Sequence, residues 1–137
     1  MNESKHQALN LLRKAEEDLS FATSLSKDSG TTRRGVGFHA QQAVEKALKA
    51  VLMYHEIQYP FTHDIKALMK LVKKAKVPLP PNSHDFSRLT PFATVLRYED
   101  EEWGLSERFS LDDMLGYAEV TLAWAKSTIN GDEPEGV

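Results

Sequence analysis

The chain has no cysteine, so disulfides, thiolate catalysis and cysteine-ligated zinc are excluded at once. It has no apolar run approaching ~18 residues, the length a helix needs to cross a bilayer. Its first residues, MNESKHQALNLLRKAEE, lack the apolar core of a secretion signal. A cytoplasmic protein without membrane contact is therefore expected. Excess positive charge is also missing: 17 Lys and Arg stand against 20 Asp and Glu, a formal net charge of −3. No global field draws such a chain to nucleic acid or anionic lipid, so polyanion binding has to come from a local patch. Internal repeats and the period-two alternation of strands are absent as well.

What remains is an ordinary globular composition, 41% hydrophobic and 27% charged over 137 residues, enough for one domain with a continuous core. We expect a single domain over 1–137, with a core at about 4–130 and a frayed tail at 131–137. Helical periodicity dominates. Ala8, Leu11, Leu12, Ala15, Leu19, Ala22 and Leu25 recur at spacings of three and four, which predicts a first helix from Ser4 to about Leu25. Residues 26–37 hold three glycines with Ser and Thr and read as a loop. A second helix is predicted from about Val36 to His55. After the break at Pro60, Thr62 is expected to cap a third helix carrying Ile65, Leu68, Met69 and Val72. VPLPPNS (77–83) is a stiff connector leading to a fourth helix through Phe86, Leu89, Phe92 and Leu96, with Pro91 kinking or breaking it. Residues 97–109 are irregular and acidic. A last helix runs from Ser110, with Asp113 in the capping-box position, to about Ile129. The pattern is that of an all-α, antiparallel up-and-down bundle of four or five helices.

The second helix is unusual. On a wheel of roughly 100° per residue, Val36, Ala40, Ala43, Val44, Ala47, Ala50, Val51 and Tyr54 form one broad face. His39, Gln42, Glu45, Lys46 and Lys49 form another, together with the apolar Phe38 and Met53. Both faces are expected to be covered, the first by the core and the second by a ligand or a partner chain. The bland alternative is that His39 and Gln42 satisfy one another or a backbone group inside the bundle.

FHAQQAVEKALKA (38–50), followed by FTHDIKALMKL (61–71) and LRY (96–98), resembles the HEPN domain family, the nucleotide-binding domains of higher eukaryotes and prokaryotes, in its prokaryotic stand-alone form. The likeness runs from about residue 7 to 127. It implies an antiparallel helical bundle, a homodimer, no cofactor, and binding of nucleotide or RNA. It also implies a minimal nucleotidyltransferase as partner in a toxin–antitoxin-like system. On this reading Gln42, Glu45, Lys46, Lys49, His63, Arg97 and Tyr98 form the binding set, with no metal. Lys46 and Lys49 would meet phosphate, and Gln42 would fix orientation.

Two other readings stay open. One is a non-catalytic interaction module. The other is a metal-independent endoribonuclease, because RNA-cleaving relatives carry Arg, four to six residues, then His. Arg34-Gly-Val-Gly-Phe-His39 has that spacing, and a glycine-flanked backbone able to fold back would bring the guanidinium to the imidazole. In toxin-like members the pair lies further along the bundle, where this chain has Arg88 and Arg97 but no later histidine. His63-Asp64 and His84-Asp85 resemble the metal-binding dipeptide of HD-type phosphohydrolases, but each follows a capping Thr62 or Ser83, where an Asp suits the helix dipole. Finally, Lys66, Lys70, Lys73 and Lys74 share a face of the third helix, with Lys76 following. That is either a solvated surface or a phosphate track, and with no interleaved aromatic residue to stack bases it argues against single-strand binding by the usual platform.

Overall fold

The computed structural model describes residues 3–27, 33–81 and 111–131. The expected fourth helix, residues 97–109 and the tail lie outside these, as do Arg97, Tyr98 and the His84-Asp85 dipeptide. The described residues contain no strand and four helices: α1 (Glu3–Ser26), α2 (Arg33–Tyr54), α3 (Ile65–Lys74) and α4 (Leu111–Asn130). None is long and apolar enough to cross a membrane.

The central element is α2, which packs against α1, α3 and α4. Its alanines Ala40, Ala43, Ala47 and Ala50 are fully buried, as are Ala8, Ala15 and Ala22 of α1. Alanine on both sides of a seam leaves little side chain between two backbones, so α1 and α2 lie close along their length. Ser4 Oγ near the start of α1 donates to Glu56 just past α2 (3.2 Å), so the two run antiparallel. One core cluster joins Ala22, Val36, Ala40, Val44 and Met114, and a second joins Ala8, Leu12, Val51, Leu122 and Ile129. α4 therefore runs antiparallel to α1 and in the same sense as α2. Residues 57–64 return along α2 without helix, and α3 then buries Ile65, Leu68, Met69 and Val72, as the periodicity predicts. The indole Nε1 of Trp124 donates to the Pro78 carbonyl (2.8 Å), pinning the connector after α3 to α4.

Two local readings are corrected. α2 begins at Arg33, so Gly35 and Gly37 are helical and not loop. Gly37 is buried, and packing overrides its poor helix propensity. The N-cap of α3 is Asp64, whose Oδ1 accepts from the backbone N–H of Lys66 (3.0 Å) and Ala67 (3.4 Å). Thr62 acts one step earlier, its Oγ1 accepting from the Asp64 N–H (3.0 Å).

Candidate functional site

Two carboxylates organise the polar side of α2. Asp18, on α1, accepts from His39 Nδ1 (2.9 Å) through one oxygen and from Lys46 Nζ (2.6 Å) through the other. Glu45, only 3% exposed, gathers a larger set. Its Oε1 accepts from Gln41 Nε2 (2.8 Å) and His63 Nδ1 (2.9 Å), and its Oε2 from Lys49 Nζ (2.7 Å). Gln42 Nε2 donates to Gln41 Oε1 (2.7 Å), which closes the network. Burial alone pushes the Glu45 carboxyl up, but hydrogen bonds from Lys49, His63 and Gln41 together outweigh it and leave its pKa below the usual 4.5. The pKa of Tyr59 moves the other way, raised above 10.0 first by burial and then by the Glu45 charge.

A carboxylate only accepts, so Nδ1 carries the proton in both histidines. The Nε2 of each has no hydrogen-bond partner among the described residues. The His39 ring lies between Phe21 (centroids 5.3 Å apart) and Phe38 (5.2 Å). On the other side, Lys49 Nζ sits 5.6 Å from the Tyr59 ring centroid and 6.0 Å from that of Phe61, within cation–π range. Phe61 is 95% exposed and Phe21 57%.

Between the Asp18 wall and the His63 wall, α2 presents a strip of half-buried residues: Phe38, Gln42, Lys49 and Met53. They span about 60° of the helix at 100° per residue. The structure thus brings together His39, Gln42, Glu45, Lys46, Lys49 and His63 from the sequence-derived set. His39 and Gln42 do not bond each other; each is satisfied by a different carboxylate network. Arg34 lies on the continuous helix five residues before His39, about 140° away around the axis. The expected fold-back through Gly35-Val36-Gly37 is absent because that segment is helical. His63 and Asp64 are engaged separately, one with Glu45 and the other as a helix cap. The described residues hold no His/Asp/Glu group fit for a metal ion.

Sequence reading missed Asp18, Gln41, Tyr59, Phe61 and Phe21. Gln41 had a local signal: residues 41, 45, 48 and 52 lie on one line of α2, and Leu48 and Leu52 there are fully buried. A third covered face was therefore legible, and the return segment and α3 cover it. Asp18 and the aromatic rings had no such signal, because the α2 residues or rings they meet in these contacts lie 10 to 28 residues away in the chain.

No curated protein and no solved structure matches the chain. A family model, HEPN domain, matches residues 8–128, from the first turns of α1 to near the end of α4, and so contains both carboxylate networks. The all-helical bundle built on α2 agrees with that match, and the chain belongs to the HEPN domain family.

Proposed function

We propose that this HEPN-domain protein binds a nucleotide, free or within RNA, on the outward strip of α2, with a base stacked on Phe61. The observation that carries this reading is a phenylalanine 95% exposed beside a buried ion-pair network. Burying such a ring contributes about 1.5–3 kcal/mol, and the fold leaves that contribution unused. Around it stand the groups a nucleotide needs. An ammonium has three donors, so Lys49 and Lys46, each bonded to one carboxylate, keep others for phosphate. Gln42 spends its NH₂ on Gln41 and Glu45 and offers its Oε1 to a base amine or ribose hydroxyl. His39 and His63 add two Nε2 atoms. Family membership supports a nucleotide- or RNA-related role in general.

Calorimetry with ATP, GTP and a short RNA tests this. Phe61→Ala is expected to weaken binding roughly 5- to 150-fold, the value of about 1–3 kcal/mol for one stacked base. No heat with any of the three at millimolar concentration would leave an interaction module as the better reading. Family resemblance also supports a minimal nucleotidyltransferase as partner in a toxin–antitoxin-like pair. Failure of such a protein to co-purify on co-expression would remove that element.

A second reading, metal-independent RNA cleavage, is favoured by the two carboxylate-held imidazoles. Each has Nδ1 fixed and Nε2 available for proton transfer. Cleavage that survives EDTA and falls at least ~100-fold in His39→Ala or His63→Ala would establish it.

A further inference from the structure

The lysines of α3 are unlike the others on the polar side of the molecule. Lys66, Lys70, Lys73, Lys74 and Lys76 are all exposed, and residues 65–81 contain no acidic side chain. Lys46, Lys49 and Lys126 each reach a carboxylate within 2.7 Å. Among the described residues neither the four lysines of α3 nor Lys76 just beyond it pairs with a carboxylate. Helix stability does not account for them. Lys73 and Lys74 suit the C-terminal end of the dipole, but Lys66 lies in the first turn, where positive charge is unfavourable. Lys66 with Lys70 and Lys70 with Lys74 are like charges at i,i+4, which disfavour a helix of only ten residues. Opposite them the apolar face is complete without help: Ile65, Leu68, Met69 and Val72 are buried.

We propose that this lysine face is a track for the phosphate backbone of a single-stranded nucleic acid. It extends the α2 site from one nucleotide to several. The inference rests on the reading of Phe61 as a stacking platform, because the track begins there: α3 starts four residues after Phe61 and directly after His63-Asp64. Lys66, Lys70 and Lys74 advance about 6 Å per step along the axis, an even row of charges that a flexible backbone can follow. The track also places positive charge locally on a chain whose net charge is −3. A strand with one base on Phe61 would pass the capping Asp64 and lay its following phosphates over α3, which has no acidic residue of its own.

Fluorescence anisotropy with a labelled oligouridylate of about ten nucleotides, alongside calorimetry with uridine monophosphate, tests the track. The oligonucleotide is expected to bind more tightly than the mononucleotide, with affinity falling steeply as salt rises. Each of Lys66→Gln, Lys70→Gln and Lys74→Gln should flatten the log–log salt dependence by about 0.7. The triple variant should lose the gain with length while keeping the wild-type affinity for the mononucleotide. These exposed positions leave the core untouched, and an unchanged circular dichroism spectrum would confirm folding. Mononucleotide binding with no gain in length, or a salt dependence unmoved in the triple variant, overturns the track and leaves the α2 site standing. Lysine-dependent oligonucleotide binding without mononucleotide binding supports the track and refutes the α2 site. Lysine-dependent capture of phosphatidylserine vesicles with no oligonucleotide binding overturns it in favour of a membrane surface.

Discussion

Glu45 carries the largest consequences of any single residue. It is a buried carboxylate with four donors converging on it, from Gln41, Gln42, Lys49 and His63, and its side chain and that of Lys49 are 4% and 12% exposed. Breaking a buried pair by removing one member leaves an uncompensated charge, so Glu45→Ala should cost about 3–5 kcal/mol in urea unfolding. The sign of the pH dependence follows from the lowered pKa. The carboxylate contributes its stability fully above the unfolded-state value near 4.5, and loses it as pH falls through the lower folded value. Wild-type stability should therefore drop on the acid limb below about pH 4.5, and the drop should be shallower in Glu45→Gln. Equal acid limbs would show that the carboxylate is not held by these donors. Glu45 was legible as a polar residue of α2, but not as a buried one. Its burial depends on His63, 18 residues away, and the path of residues 57–64 is not written in any local spacing.

The ends of α2 and α3 share a device. Glu56 and Lys76 both have positive φ, 59° and 65°, and each is followed by a hydrogen bond reaching five residues back, Ile57 N–H to Leu52 C=O (2.9 Å) and Val77 N–H to Val72 C=O (3.3 Å). This is the Schellman ending, in which glycine is the usual occupant because a Cβ is disfavoured in the left-handed region. Lys76→Gly should therefore raise stability by roughly 1 kcal/mol, about 4 °C in Tm. Glu56→Gly should gain less, because it also loses the Ser4 bond. A fall in Tm for Lys76→Gly would contradict this account of the caps. At the opposite end of α3, Asp64→Ala should cost about 1 kcal/mol as a lost N-cap. The helices themselves were legible because apolar periodicity survives averaging over many residues. Their boundaries were less so: Gly35 and Gly37 signal a loop by propensity, and both glutamate and lysine are poor signals for a C-terminus.

Among the described residues, α2 is covered on three sides by α1, α3 and α4, and the half-buried strip of Phe38, Gln42, Lys49 and Met53 is left between them. If a second copy of the chain occupies part of it, as a homodimer would, Met53→Glu should shift the sedimentation profile toward monomer, because a charge would be buried without a partner. A wild-type monomer at tens of micromolar would remove the dimer, on the affinity scale of ordinary associations. The all-helical bundle and the polar residues of α2 were legible in the sequence; the assembly of those residues into two networks was not, since each network takes its key member from another element. The central claim, that the two networks flank a nucleotide site, is tested most directly by histidine-ring NMR during a nucleotide titration. His39 and His63 border the strip, while His6 and His55 lie on other exposed or partly exposed parts of the described chain and serve as internal references. The account predicts saturable shifts of the His39 and His63 ring signals with those of His6 and His55 unmoved. Shifts confined to His6 or His55, or none at millimolar nucleotide, would contradict it.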